Sequence, residues 1–294
     1  FQALTTAIAA QVGTGNIPGC ATALVSGGPG ALFWTWVSAF FGMATIYAEA
    51  VLAPHYKTTV NGHVTGGPAY YIRAAFKGKV GKVLATVFSV LIILALGFMG
   101  NMVQSNSIGS TCSTAFGIPS WVMGAVLVAI CGFIFLGGVQ RLASVTEKIV
   151  PIMAAIFLVG GLAILIARIK YVPATFGMIF KYAFKPQAII GGSFGAALKI
   201  ALSQGAKRGL FSNEAGSGSA PCAAAAAACD DPVKMCFVQA LGVLIYAVGI
   251  CSCTAFLMLL VPQDLTAGLS GMDLLQTAMQ YHLGGFGTVF IAAT

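Results

Sequence analysis

The sequence predicts an all-α polytopic membrane protein in which two helices are broken partway across the bilayer. Three observations carry that expectation. Of the 294 residues, 58% are hydrophobic and only 7% charged, with a mean hydropathy of +0.92; soluble domains carry about a quarter charged residues. Apolar stretches long enough to cross a membrane, roughly 20 residues of helix, recur along the whole chain. Two of them contain clusters that disrupt a regular hydrogen-bond ladder. One is Gly13-Thr14-Gly15-Asn16-Ile17-Pro18-Gly19; the other combines Gly205-Ala206-Lys207-Arg208-Gly209 with Gly216-Ser217-Gly218-Ser219-Ala220-Pro221.

Composition excludes several other classes. The formal net charge is +8, but the basic residues sit in connections between apolar runs, where they set membrane orientation rather than bind nucleic acid. The eight cysteines show no CxxC or Cys/His metal spacing, and Cys251 and Cys253, inside an apolar run, read as small packing residues. The 37 glycines suit closely approaching helices. The chain has no initiator Met and stops at Thr294 inside an apolar run. That predicts a single transmembrane domain over 1–294, truncated at both ends.

The elements follow in order. Segment one spans about Leu4–Val25 and is broken at Gly13–Gly19; Gly27-Gly28-Pro29-Gly30 then turns the chain into segment two, about Ala31–Ala53, with Trp34 and Trp36 as belt residues. A polar connection from His55 to Lys82 should hold a turn at Gly66-Gly67-Pro68 and a short surface helix. Segment three is about Val83–Val103, and the uncharged stretch Gln104–Pro119 is expected as a loop. Segments four and five are about Ser120–Gly138 and Ile149–Ala167, and Arg168–Gln187, mixing aromatics with cations, should be an interfacial amphipathic helix. Segment six runs from about Ala188 to Gln204 and is interrupted at Gly205–Gly209 and at Gly216–Pro221. Segment seven is about Val233–Val261, with Asp231 as N-cap and Pro232 in its first turn. Pro262–Gly285 is expected as a loop, and segment eight starts near Phe286.

Lys and Arg number five, two and three in 55–82, 139–150 and 206–234, but none, none, four and none in 26–30, 104–119, 168–187 and 262–285. The first set is therefore cytoplasmic, and the four cations of 168–187 run against the rule, with headgroup contact as their only evident role. Segment one then enters from the cytoplasm and segment six from outside, five spans later. An odd number of helices per repeat makes consecutive repeats inverted, each opening with its broken helix, as in LeuT-type transporters. The first repeat covers about 1–170 and a partial second about 188–294.

The wording at the breaks resembles a known family. Phe1-Gln2-Ala3-Leu4-Thr5-Thr6 through Gly13-Thr14-Gly15-Asn16-Ile17, the turn Gly27–Ala31 with Phe33-Trp34, and Thr65-Gly66-Gly67-Pro68-Ala69-Tyr70-Tyr71 are similar to the alanine or glycine:cation symporters. So is Arg208-Gly209-Leu210-Phe211-Ser212-Asn213-Glu214-Ala215-Gly216, the most specific match. The resemblance implies a LeuT-type fold and Na+- or H+-coupled uptake of a small neutral amino acid, alanine or glycine, across a prokaryotic plasma membrane. It also implies further core helices beyond the 294 residues, and Pro18 departs from the commoner form of the first motif.

A zwitterionic substrate needs donors for its carboxylate and acceptors for its ammonium. Backbone NH groups of Gly13, Thr14 and Gly15 suit the carboxylate, with the Asn16 amide beside them, unless Asn16 only stitches the kink. The carbonyls of Ala10 and Gly13 are candidates for Na+. Ser203, Gln204 and Gly205 should lie near the first break if the repeats superpose; they hydrogen-bond the ammonium or cap freed backbone. Arg208, Asn213 and Glu214, with Lys207 and Ser212 nearby, are candidates for an inner gate in which Arg208 pairs with Glu214, against a plain solvated pair. Lys199 is read as snorkelling to an interface. No cofactor is expected besides the coupling ion, and no partner besides substrate, ion and membrane lipid.

Rival classes fare less well. Gly13-x-Gly15 lacks the preceding strand and the spacing of a dinucleotide fingerprint. An intramembrane hydrolase using Ser193 or Ser217 has no well-placed base, since His55, His63 and His282 fall in connections. A channel also uses broken helices lined with carbonyls; saturable, cation-dependent counterflow separates a symporter from it.

Overall fold

A computed structural model describes residues 16–60, 63–184, 194–226 and 232–294. Within them the chain is helical, with one antiparallel hairpin, and at least four helices are long and apolar enough to cross a membrane: Gly30–His55, Gly78–Phe116, Ser144–Ala167 and Val233–Leu259. The protein is a multi-pass membrane protein.

Helix α1 (Asn16–Gly27) is described from Asn16 onward and takes in Ile17, Pro18 and Gly19, the last part of the first Gly-rich cluster. Gly28, at φ 71, turns the chain into α2 (Gly30–His55). In the basic connection after α2, β1 (Thr58–Val60) pairs with β2 (His63–Thr65), and α3 (Pro68–Ala75) is the expected short helix.

Helix α4 (Gly78–Ile92), a π-helical stretch Ile93–Gly100 and α5 (Asn101–Phe116) form one continuous rod of 39 residues. The loop expected at Gln104–Pro119 is therefore helix as far as Phe116. Absence of charge is a poor sign of a loop, because hydroxyls can return their bonds to their own helix: Ser107 Oγ donates to the Val103 carbonyl at 2.8 Å. The real stop is Gly117, left-handed at φ 68, with Pro119 beyond it. Helices α6 (Ser120–Phe135) and α7 (Gly138–Ala167) follow, α7 starting well before the expected Ile149.

Helix α8 (Val172–Phe184) is the expected amphipathic element. It buries Thr175, Ile179 and Ala183 and packs Phe180 and Phe184 against Phe33, while Trp34 Nε1 donates to the Ala183 carbonyl at 3.1 Å. Part of the contrary charge here gains an account. Arg168 lies over the Tyr281 ring, 5.2 Å from its centroid, and Lys181 occupies the last turn of α8, where the helix dipole favours a cation.

Helix α9 (Phe194–Asn213) runs unbroken through Gly205–Gly209, so the interruption expected there is absent. The break comes at 214–218, before α10 (Ser219–Ala226). Glycine is tolerated in a helix interior when it allows another helix to approach, and α2 supplies that helix. A Cβ on Gly205 would stand 2.5 Å from that of Trp34, and one on Gly209 2.6 Å from that of Ser38. One turn on, Gly42 faces Asn213. Thr35 Oγ1 reaches the Gly205 carbonyl at 3.2 Å, and Ser38 Oγ the Ala206 carbonyl at 3.3 Å. The contacts advance together along both chains, so α2 and α9 run parallel.

Against α1 the sense is reversed: Gly27 faces Ala201 and Gln204, whereas Gly19 faces Arg208. Helix α11 (Pro232–Leu244), a π-helical stretch Ile245–Cys251 and α12 (Ser252–Leu259) run antiparallel to α2: Phe237 stacks on Tyr47, and Trp36 Nε1 donates to Ser252 Oγ at 2.8 Å. These directions are the ones the loop charges require. Cys253 is buried where its sulfur packs on Gly161, the packing role expected of it.

The uncharged-to-acidic stretch Pro262–Gly285, expected as a loop, instead holds α13 (Gln263–Thr266) and the mostly buried α14 (Gly271–Leu283) before α15 (Gly285–Ala293). Met272, Leu274, Leu275, Ala278 and Met279 join the main core, with Leu24, Leu32, Tyr246 and Phe256. Gln276 Nε2 donates to the Thr111 carbonyl at 3.0 Å, and His282 Nε2 to that of Leu257 at 2.9 Å. Burial holds the His282 imidazole below its ordinary value, against the opposing carbonyl. On the side opposite the basic connections, α14 thus lies over α1, with a Cβ on Gly271 3.8 Å from that of Pro18.

Candidate functional site

The middle of α1, the first two turns of α2 and the second half of α9 converge on a cavity of about 20 Å³ lined by Gly19, Cys20, Ala23, Leu24, Leu32, Thr35, Arg208, Phe211 and Cys251. That is room for about one water molecule. Its walls are mainly apolar, and at one corner the Arg208 guanidinium lies against Gly19 of α1, its Nη1 3.4 Å from a Cβ placed on that glycine. Arg208 Nε is buried and has no hydrogen-bond partner among the described residues. A buried guanidinium donor is therefore left uncompensated there among the described residues.

The sequence-predicted site residues divide into three groups. Ala10, Gly13, Thr14 and Gly15 lie outside the described residues, as do Ser193 and Asp231; Asn16 is the first described residue of α1. Ser203, Gln204 and Gly205 belong to regular helix. Gln204 stands beside Gly27, eleven residues beyond Asn16 and so about 16 Å along α1, while Gly205 is held against Ala31, Trp34 and Thr35. Arg208 and Phe211, one and two turns further along α9, are the residues brought to the cavity, Arg208 against Gly19.

The expected Arg208–Glu214 pair does not form. Arg208 leans toward Gly19, whereas Glu214, in the turn after α9, accepts a bond from Ser219 Oγ. The same turn holds a second carboxylate, because the Gly216 amide donates to Glu49 Oε2 at 3.2 Å. Burial pushes the Glu214 carboxyl from its ordinary 4.5 up to about 7, opposed by the Ser219 hydroxyl and assisted by the charge on Glu49. Glu214 adopts φ 54 and Gly216 φ 83, a left-handed conformation that side chains other than glycine disfavour. Next to it, Asn213 is fully buried against Gly42, and neither end of its amide has a partner among the described residues. Such an arrangement costs about 1–3 kcal/mol.

Sequence reasoning missed Cys20, Thr35, Phe211 and Cys251 as cavity residues and Glu49 as a neighbour of Glu214. The four-residue spacing Gly205-x-x-x-Gly209 was an available signal, since it fixes which face of α9 meets α2 and hence where Arg208 points. Among the described residues no three His, Cys, Asp or Glu side chains gather as a metal site.

Similar proteins bear on what this geometry serves. The sodium:alanine symporter family matches residues 1–294. The sodium/alanine symporter AgcS of Methanococcus maripaludis is 43% identical over 274 residues, which are 92% of this chain and 60% of that protein. The amino-acid carrier protein AlsT of Bacillus subtilis is 41% identical over 292 residues, covering 99% of this chain and 61% of its own length. A third protein, "Probable sodium/glutamine symporter GlnT" of Bacillus subtilis, is 42% identical over 293 residues, with 99% and 60% covered. The chain thus spans about three-fifths of the length of these relatives.

Proposed function

The chain belongs to the sodium:alanine symporter family, and from that premise we propose that its parent protein is a secondary active symporter coupling Na+ influx to uptake of a small neutral amino acid, alanine or glycine. It works by alternating access in a prokaryotic plasma membrane, on a LeuT-type bundle whose first repeat covers about 1–170 and whose partial second repeat covers about 188–294.

The observation that carries the reading is the buried, unpartnered guanidinium nitrogen of Arg208. The guanidinium lies against Gly19 of α1, and its Nε lacks a partner among the described residues. A charge at membrane depth needs a counter-charge or water, and a substrate carboxylate supplies one. The backbone of Gly13, Thr14 and Gly15 completes the donor set beside Asn16, and the Ala10 and Gly13 carbonyls take Na+. The substrate side chain then points between Leu24, Leu32 and Phe211, which line so small a cavity that alanine and glycine are favoured over larger residues. Asn213 and Glu214 act at the cytoplasmic exit, in a turn whose unpartnered amide and left-handed backbone suit rearrangement.

Coupling to H+ is a second reading, favoured by Glu214, whose carboxyl is raised to about 7.

The test is uptake of labelled alanine, glycine and glutamine by the whole protein in proteoliposomes. Accumulation above equilibrium under an inward Na+ gradient is expected for alanine or glycine, and an effect of Arg208→Ala chiefly on KM. Accumulation under a proton gradient alone would move the coupling to H+. Absence of accumulation under both gradients would overturn symport.

A further inference from the structure

Away from the α1–α9 cavity, the cytoplasmic face carries a second, quite different concavity. It is an open groove of about 650 Å³ between α3 and α4. From α3 it takes Tyr70 and Arg73; from α4 it takes Lys82, Thr86 and Ser89, and from the start of the π-helical stretch Ile93. The α4 residues recur at three- and four-residue steps, so they form one stripe of that helix. Charge is confined to the cytoplasmic end of the stripe, at Lys82, and the opposite end is apolar.

Nothing in the groove's own stretch neutralises that end. Residues 55–82 hold Lys57, Arg73, Lys77, Lys79 and Lys82 and no Asp or Glu. The nearest acid of α2, Glu49, is engaged by the Gly216 amide. The groove's hydroxyls are engaged as well: Thr86 Oγ1 donates to the Lys82 carbonyl at 2.9 Å, Ser89 Oγ to the Ala85 carbonyl at 2.8 Å, and the Tyr70 hydroxyl is bonded to Thr65 at 2.9 Å. Arg73 and Lys82 are left as the groove's charged donors, and both are exposed.

The groove also runs into the apolar flank of the span Gly78–Phe116. Val83, Val87, Val90 and Leu91 of α4 are about half exposed, as side chains that meet hydrocarbon should be. A ligand filling the groove therefore meets two cations at the membrane's cytoplasmic surface and an apolar helix face directly below.

We propose that this groove is a binding site for an anionic glycerophospholipid of the cytoplasmic leaflet, with its phosphate between Arg73 and Lys82 and its acyl chains along α4. The guanidinium offers paired donors to phosphate oxygens, and basic pockets beside membrane helices hold acidic headgroups in this manner. A soluble anion would use the two cations but gain nothing from the apolar wall.

The test titrates the purified whole protein in neutral detergent with phosphatidylglycerol, phosphatidylcholine or glycerol 3-phosphate and follows thermal unfolding. Stabilisation is expected at an at least tenfold lower concentration of phosphatidylglycerol than of phosphatidylcholine, and none from glycerol 3-phosphate. At about fivefold per cation, the double variant Arg73→Gln/Lys82→Gln should raise the half-saturating concentration roughly 25-fold, while Lys57→Gln, outside the groove, shifts it less than twofold. Equal response to both lipids, an equal response to glycerol 3-phosphate, or an unchanged double variant would each overturn the proposal. Should that variant fail to fold, the lipid comparison on the unaltered protein decides, together with Arg73→Lys/Lys82→Arg, which must keep the preference.

Discussion

Two pairs of glycines lie close together in the chain and do opposite things. Gly205 and Gly209, four residues apart, sit inside α9 and let α2 come close enough for its hydroxyls to reach the α9 backbone. Gly216 and Gly218, two apart, sit in the turn after α9 with φ of 83 and 91, beyond Glu214 at φ 54, and turn the chain away from the helix. The first pair uses the missing side chain and the second uses the freed backbone. Glycine content alone therefore does not locate a break in a membrane helix; the spacing does.

Substitutions separate the two uses. The largest effect is expected for Gly205→Leu, whose side chain has no space against Trp34 and Thr35. Overpacking of this kind costs about 3 kcal/mol or more, so the yield of folded protein should collapse, and normal yield with normal melting would break the comparison. Next comes Arg208→Ala, which removes a charged donor rather than a contact surface. A hydrogen bond to a charged group is worth about 1.5–3 kcal/mol, so half-saturation for amino acid should rise roughly 10- to 150-fold while melting changes little. Gly216→Ala should cost about 1–2 kcal/mol, the penalty of a left-handed alanine, visible as a modest drop in melting temperature without loss of folding.

The smallest effect is a change of slope. Glu214 titrates near 7 when folded against its ordinary 4.5, so between those values the folded state keeps a proton that the unfolded chain has lost. Its contribution is full below 4.5 and is lost as pH rises through 7. Glu214→Gln should flatten stability across that window, as followed by melting at a series of pH values; an unchanged slope would show that Glu214 is not buried beside Glu49.

Much of this was legible in the sequence because it depends on local pattern. Apolar length predicted the spans, the aromatic-and-basic mixture of 168–187 predicted α8, and Lys/Arg asymmetry predicted the relative directions of α1, α2, α9 and α11. The less legible parts depend on what a segment packs against. The hydroxyl-rich Gln104–Phe116 looks like a loop until its side chains bond back to the helix. Gly271–Leu283 looks like a loop until Met272, Leu275 and Met279 find the core. At the cavity, Phe211 and Cys251 are 40 residues apart in sequence, and no local signal joins them. Arg208 and Glu214 illustrate the reverse case: nearness in sequence suggested a pair, but six residues of helix and turn send them to different neighbours.

The close seating of α2 on α9 has a mechanical consequence. Two helices whose backbones approach closely over two successive turns, with hydrogen bonds crossing between them, act as one stiff beam. A beam does not bend in its middle; it pivots about its ends. Here those ends are the Gly28-Pro29 corner on one side and the 214–218 turn on the other. Spin labels at the exposed Phe41 and Leu210 should keep their separation with and without Na+, while a label on the beam and one on α14 change theirs, so that displacement is gathered at the two corners rather than spread along the helices.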